Sequence, residues 1–152
     1  MKRNENGFTI IEVVLVLAIA GLIFLAVFIA LPALQRGQRD NQRRQDAARF
    51  ATQLQQYATN NNGSMPTGAN INTFATNYLL SGSEGFKDPK SGNTYTITAP
   101  SPLTTTSNNI ATFNYHPAHK CDGESVVSAG PREAAVTIKL EGSGVYCADA
   151  QK

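Results

Sequence analysis

Charge is missing from one long part of this 152-residue chain: the 22 residues from Val13 to Leu34 contain no Asp, Glu, Lys or Arg. As an α-helix they would extend about 33 Å, enough to cross a hydrocarbon core about 30 Å thick. An ordinary secretory signal has an apolar core of only about 7 to 15 residues. The length of the run therefore argues against such a signal, although "AIA" at residues 18–20 imitates a cleavage site. We predict a retained membrane-spanning helix.

Groups that carry catalysis are also missing. The sequence shows no Ser, Cys or carboxylate constellation with a partnered base, and no glycine-rich phosphate loop between a strand and a helix. We therefore predict that the chain is not an enzyme, has no catalytic residue and needs no cofactor. A net charge of +2 does not call for a nucleic-acid partner, and such contact is left open.

Cysteine is scarce, since Cys121 and Cys147 are the only two in the chain. A lone pair in a small, loop-rich domain suits a disulfide formed in an oxidising compartment. The alternative is a zinc site with His116 and His119, which needs reduced thiols; we favour the disulfide and predict no metal. Four acidic residues near the cysteines lack the spacing of a calcium loop, and we interpret them as solvated surface: Asp122, Glu124, Glu141 and Asp149.

One carboxylate, Glu12, stands directly before the uncharged run. It could lie near the membrane interface, where its charge reaches water and suits the positive end of the helix dipole. It could instead have a partner, because acids inside membrane helices are usually paired or functional. Composition alone does not decide between the two. It also leaves the orientation open, since the arginines that follow the span favour a cytoplasmic domain and the cysteines favour export.

Helical periodicity continues beyond the span. Apolar residues recur at steps of three and four on one helix face: Ala47, Phe50, Ala51, Leu54, Tyr57 and Ala58. We predict one helix from Phe8 to about Thr59, ended by Gly63 and Pro66. Its weak points are Gly21 and Pro32, because proline removes a backbone donor and clashes with the preceding turn.

The remaining residues predict a short helix and a small sheet. The helix is expected over residues 71–80. Alternating apolar residues and turn signals predict strands at Thr94–Thr98, Ile110–Tyr115, Ala134–Leu140 and Val145–Ala148. The last two strands form a hairpin. The predicted fold is therefore α+β, with an antiparallel sheet of three or four strands covered by the apolar stripe of the long helix.

The segment "GFTIIE" from Gly7 to Glu12 resembles the processing motif of type IV pilins. The basic leader, the apolar helix, its amphipathic continuation, the sheet and the late cysteine pair follow the pilin plan, although only residues 7 to about 34 carry a specific motif. The resemblance implies cleavage by a prepilin peptidase between Gly7 and Phe8, and N-methylation of Phe8. It divides the chain into four parts: leader 1–7, membrane and filament-core helix 8–34, amphipathic helix 35–62, and disulfide-closed head 63–152.

The same resemblance implies a function. The chain would be a pilin, on this reading the major one, stored as a single-pass protein in the inner membrane and then polymerised into a surface pilus for adhesion, twitching motility or DNA uptake. Its partners would be other copies of itself, the prepilin peptidase, the inner-membrane assembly machinery and, before assembly, membrane lipid. The alternatives are a minor pilin, a pseudopilin of type II secretion, or an uncleaved single-pass protein with a binding domain.

Two site assignments follow from the resemblance, and a third comes from the run of arginines after the span. Glu12 would pair with the new amine of Phe8 on a neighbouring subunit. If part of the helix stretches or melts on assembly, the segment from Gly21 to Pro32 is where we expect it, although the family's usual proline lies a few residues earlier than Pro32. The arginines after the span would form salt bridges between subunits or face lipid headgroups: Arg36, Arg39, Arg43, Arg44 and Arg49.

Overall fold

The structure is a computed structural model that describes residues 7–81, 85–100 and 106–151. It divides into two compact units, residues 1–36 and residues 37–152, which are taken separately below. Residues 1–6 of the predicted leader lie outside the described residues.

The described part of the first unit is the N-terminal portion of helix α1, which spans Ile10–Asn60. Within the described residues, α1 is a helix long and apolar enough to cross a membrane, as predicted. Its large apolar side chains are exposed; Ile10 is 86% exposed and Phe28 is 74% exposed. A surface this apolar needs lipid or other helices to cover it. The bounds of α1 include Gly21 and Pro32, and their predicted flexibility stays a prediction.

In the second unit, α1 buries the predicted apolar stripe. Ala47, Phe50, Leu54 and Ala58 are at most 1% exposed. The helix ends as predicted, because the N–H of Gly63 bonds the carbonyl of Ala58 at 2.7 Å. Asn62 supplies the left-handed residue that such an end requires, with φ at 55°.

The short predicted helix is present but is not α-helical throughout. A 3₁₀ turn at Gly68–Asn70 leads into α2 at Ile71–Phe74, and a π turn follows at Ala75–Leu79. In that π turn the N–H of Leu80 bonds the carbonyl of Ala75 at 3.0 Å. The segment packs on the core through buried apolar side chains at Ile71, Phe74 and Leu79.

Among the residues that the structure describes, the main sheet has four strands. They are β1 Thr96–Thr98, β2 Thr112–Pro117, β5 Ala134–Lys139 and β6 Val145–Asp149, and they lie in the order β1-β2-β5-β6. Each falls within or next to a predicted strand, and β5 and β6 form the predicted antiparallel hairpin. The α+β fold class is therefore confirmed.

One edge of this sheet differs from the fully antiparallel prediction. Strand β1 runs parallel to β2, with Thr96 opposite Thr112. Parallel neighbours need a long connection instead of a tight turn, and 13 residues separate β1 from β2 in the sequence. Strand direction was not readable from the alternation pattern, which is the same for both pairings.

A second sheet was missed by the sequence analysis. It pairs β3, His119–Asp122, with β4, Ser125–Ser128. These strands are short and mostly polar, so their alternation is weak. Gly123 has φ at 62° and starts the two-residue turn between them. A glycine at the first position of such a turn was the available hairpin signal.

The core of the second unit is built around Phe50 of α1. Its ring lies 5.7 Å from that of Phe74, 5.6 Å from Phe113 and 6.1 Å from Phe86. These rings come from α2, β2 and the loop before β1. The predicted packing of the helix stripe on the sheet is therefore confirmed.

Candidate functional site at the N-terminal helix

Glu12 closes a capping box at the start of α1. The backbone N–H of Thr9 donates to Oε2 of Glu12 at 2.9 Å, and the Thr9 hydroxyl donates to the same oxygen at 2.8 Å. In return, the N–H of Glu12 points to Oγ1 of Thr9 at 3.4 Å. This reciprocal pattern satisfies N–H groups that a helix start leaves without partners. Thr9 and Glu12 have the spacing of a capping box, a signal that the sequence analysis overlooked.

The capping box leaves one oxygen of Glu12 unused. Both bonds from Thr9 go to Oε2, and Oε1 accepts no bond from any residue that the structure describes. The carboxylate is exposed, and it lies one helical turn from Phe8, which is 90% exposed. A second, charged partner can therefore bind Glu12 without breaking the helix cap.

An apolar depression lies beside this carboxylate. It has a volume of about 300 Å³ and is lined by Phe8, Glu12, Val13, Val16 and Leu17. These residues recur at helical steps along one face, so they form a groove of the kind into which a neighbouring helix packs. The site thus joins an apolar helix face to a carboxylate with a free oxygen.

The predicted disulfide is present, and it lies in the second unit. It joins Cys121 of β3 to Cys147 of β6, with their Cα atoms 5.8 Å apart. Because both sulfurs are bonded, they are not available as the zinc ligands of the alternative interpretation. His116 is buried with Nε2 at 2.9 Å from the hydroxyl of Thr137, so it serves the sheet's packing.

Two of the acidic residues near the cysteines bind separate partners in the protein. Asp149 accepts a bond from the N–H of Cys121 at 2.7 Å, while Glu141 pairs with Arg39. In the described part of the chain, no three His, Cys, Asp or Glu side chains are grouped as a metal site requires.

The arginines after the span correct one prediction. Arg43 does not face a neighbour or lipid; it is fully buried and paired within its own chain. Its Nη1 donates to Asp40 at 2.9 Å, and its Nε donates to Asp88 at 2.9 Å. Arg39 likewise donates through Nε to Glu141 at 3.0 Å. Arg36 and Arg44 remain exposed.

Arg43, Asp40 and Asp88 form an ion cluster that connects α1 to two loops, the loop that contains Asp88 and the turn at residues 141–142. Besides Arg43, Asp40 accepts the N–H groups of Glu141 and Gly142, both at 2.8 Å. Burial opposes the charged form of Asp40, but these bonds and Arg43 outweigh it and lower its pKa. Burial likewise opposes ionised Asp88, yet the backbone of Ser91 and Arg43 lower its pKa. The cluster therefore holds its carboxylates ionised at neutral pH.

Asp46 lies next to this cluster but behaves in the opposite way. Its Oδ2 accepts the Tyr95 hydroxyl at 2.9 Å, and Gln42 donates to Oδ1 at 3.2 Å. Burial raises the pKa of Asp46, and the hydrogen bonds from Tyr95 and Gln42 and the charge of Arg49 only partly offset this effect. Burial and the neighbouring Asp46 also raise the pKa of Tyr95.

The fold and the site together define a long N-terminal helix that is apolar enough to cross a membrane, and a small α+β unit. Residues 2–28 match the family model for the prokaryotic N-terminal methylation motif. This motif is the signature of the type IV pilin family, and the match includes Gly7, Phe8 and Glu12. Comparisons with curated proteins and with solved structures found no match. The chain thus carries the N-terminal signature of pilin-like and pseudopilin proteins.

Proposed function

We propose that this chain is the structural subunit of a type IV pilus, and specifically its major pilin. The observation that carries the proposal is the exposed apolar face of α1 beside Phe8 and Glu12. In this proposal the subunits polymerise through residues 8–34 into a surface fibre used for adhesion, twitching motility or DNA uptake. The role is mechanical and involves no catalysis by the chain.

Processing precedes assembly. A prepilin peptidase cuts between Gly7 and Phe8, and the new amine on Phe8 is methylated. The capping box survives this cut because both of its members, Thr9 and Glu12, lie on the retained side. The processed subunit therefore enters the filament with its first helical turn already formed.

Glu12 selects the register in which subunits pack. In the centre of a helix bundle, an unpaired carboxylate costs about 2.5 to 3.5 kcal/mol. The amine of Phe8 on a neighbouring subunit removes this cost when it reaches the free Oε1 of Glu12. An apolar bundle can slide along its axis, whereas a buried charge pair is satisfied only at certain offsets.

Two variants separate the charge of Glu12 from its capping role. Glu12→Gln keeps the capping box, since Gln serves at the same position, but removes the charge. Glu12→Ala removes both. We expect both variants to be cleaved at Gly7–Phe8 and to give few filaments in sheared-fibre preparations. Normal filament yield from Glu12→Gln would refute the charge pairing, and a defect confined to Glu12→Ala would assign the role to the cap.

Two measurements test the wider proposal. Mass spectrometry of the mature chain should find methylated Phe8 at its N-terminus; an intact Met1 would instead indicate an uncleaved anchored binding protein. Electron microscopy of sheared fibres, with this chain as their bulk component, is expected for a major pilin. Fibres that contain only traces of it would indicate a minor pilin, and the absence of long fibres a pseudopilin.

A further inference from the structure

A second groove lies far along the sequence from the assembly segment, where the end of α1 meets α2. It has a volume of about 280 Å³. Six residues line it: Tyr57, Asn70, Thr73, Phe74, Asn77 and Tyr78. None of the six is charged, so the groove offers no ion pair to an anionic or a cationic ligand. It combines aromatic rings with neutral hydrogen-bonding groups.

The floor of this groove is aromatic. The rings of Phe74 and Tyr78 stack with centroids 5.2 Å apart and 16° between their planes. The ring of Tyr57 stands nearly perpendicular to Phe74 at 5.6 Å. Phe74 is buried, whereas the two tyrosines are only half-buried. Rigid, partly exposed rings of this kind give a ligand large apolar contact at low entropic cost.

The rim of the groove is polar, and three of its side chains make no hydrogen bond with the residues that the structure describes. The side chains of Asn70, Thr73 and Asn77 are exposed, and none bonds to another group in the described part of the chain. Each amide offers two donors and one acceptor, and the threonine hydroxyl offers both roles. The Tyr78 hydroxyl is fixed at the rim by a long bond from Nδ2 of Asn60 at 3.4 Å.

The backbone beneath the groove is unusual. Asn77 and Tyr78 lie in the π turn at Ala75–Leu79. Single π turns are rare within helices and are frequently found at functional sites, because the wider turn re-aims the side chains that it carries. Here it carries one polar rim residue and one ring of the floor.

We propose that this groove binds a neutral sugar unit of a glycan. A pyranose ring has an apolar face of C–H groups and a periphery of uncharged hydroxyls, which matches rings below and amides around the edge. The volume of about 280 Å³ lies just below the usual range for ligand sites, about 300 to 1,000 Å³, and suits a single sugar unit. The site is independent of the assembly segment, so its test is independent of the proposed pilus function.

The test uses the full chain in lipid nanodiscs, because sugar-headed detergents would compete for the groove. Methyl glycosides of glucose, galactose and N-acetylglucosamine are the probes, and saturation-transfer NMR is the readout. We expect at least one of them to bind saturably with a Kd of about 1 mM or tighter. The sugar's C–H protons should receive the strongest transfer, because they face the rings.

Variants at exposed positions locate the binding. Asn77→Ala removes one neutral hydrogen-bonding group from the rim and should weaken binding about fivefold. Asn72→Ala is the matched control, since Asn72 is exposed in the same segment but does not line the groove. Tyr78→Phe keeps the ring and should leave the C–H transfer pattern intact.

Two results would overturn the proposal. One is the absence of saturable binding by all three glycosides, and the other is binding that Asn77→Ala and Asn72→Ala weaken equally. If Asn77→Ala instead changes the self-association of the chain in sedimentation experiments and no glycoside binds, the groove is a contact with a second copy and the sugar proposal is wrong.

Discussion

Replacing Arg43 by Met tests the buried ion cluster. Arg43 is fully buried, as is Asp88, and the substitution keeps most of the side-chain volume while it removes the charge. Asp88 loses bonds of 2.9 and 2.6 Å from the guanidinium, and Asp40 loses one of 2.9 Å. Two buried carboxylates are then left without their cation.

The expected loss of stability is about 3 kcal/mol. Breaking a buried pair by removing one partner costs about 3 to 5 kcal/mol. The lower end applies here because both carboxylates keep backbone donors. Asp88 keeps the N–H groups of Lys90 at 3.2 Å and Ser91 at 2.9 Å, and Asp40 keeps two from the β5–β6 turn.

The assay is urea unfolding of the full chain in detergent micelles. The chain contains no Trp, so near-ultraviolet circular dichroism of its tyrosines is the signal. Arg44→Met is the matched control, because Arg44 is an exposed neighbour whose charged group bonds the side chain of Asn41 at 3.1 Å and no carboxylate among the described residues. We expect the control to change the free energy of unfolding by less than about 0.5 kcal/mol. Equal losses in the two variants would refute the reasoning.

The pH dependence gives a second check on the same variant. The folded-state pKa values of Asp40 and Asp88 are lowered, so their contribution to stability is present above the unfolded value of about 3.9. It is lost as the pH falls through the folded-state values. The difference between wild type and Arg43→Met should therefore be largest near neutral pH and should shrink below about pH 4.

Three further predictions concern the second unit. Asp46→Asn should stabilise the chain at neutral pH, because the raised pKa means that ionised Asp46 disfavours the folded state; melting curves should show this gain vanish as the pH falls, and a gain independent of pH would contradict it. Replacing both cysteines by Ser should cost about 3 to 4 kcal/mol, since the disulfide joins residues 26 positions apart; an unchanged melting temperature would count against this. Leu54→Ala should cost about 2 to 5 kcal/mol in urea unfolding because Leu54 is fully buried, whereas the exposed control Gln55→Ala should cost little.

Some features of the fold could be predicted from the helical spacing of apolar residues alone. The stripe that includes Phe50 and Leu54 was predicted as the face that packs on the sheet, and it is buried. The same spacing, extended back by one turn from Ala47, reaches Arg43. Residue type argued against burial there, because arginine is almost never fully buried unless it is paired. Its partner Asp88 is 45 positions away, so the pair was not visible in the sequence.

The sequence by itself determined the main features of the N-terminal helix of this protein. The uncharged run and the Thr9–Glu12 spacing lie along and at the start of one helix, where side chains meet residues three or four positions away. Only the tertiary structure decided which charges are buried, that β1 runs parallel to β2, and that Asp40 binds the turn at Gly142, which lies 102 positions further along. Those outcomes depend on contacts between distant segments, and local periodicity carries no information about them.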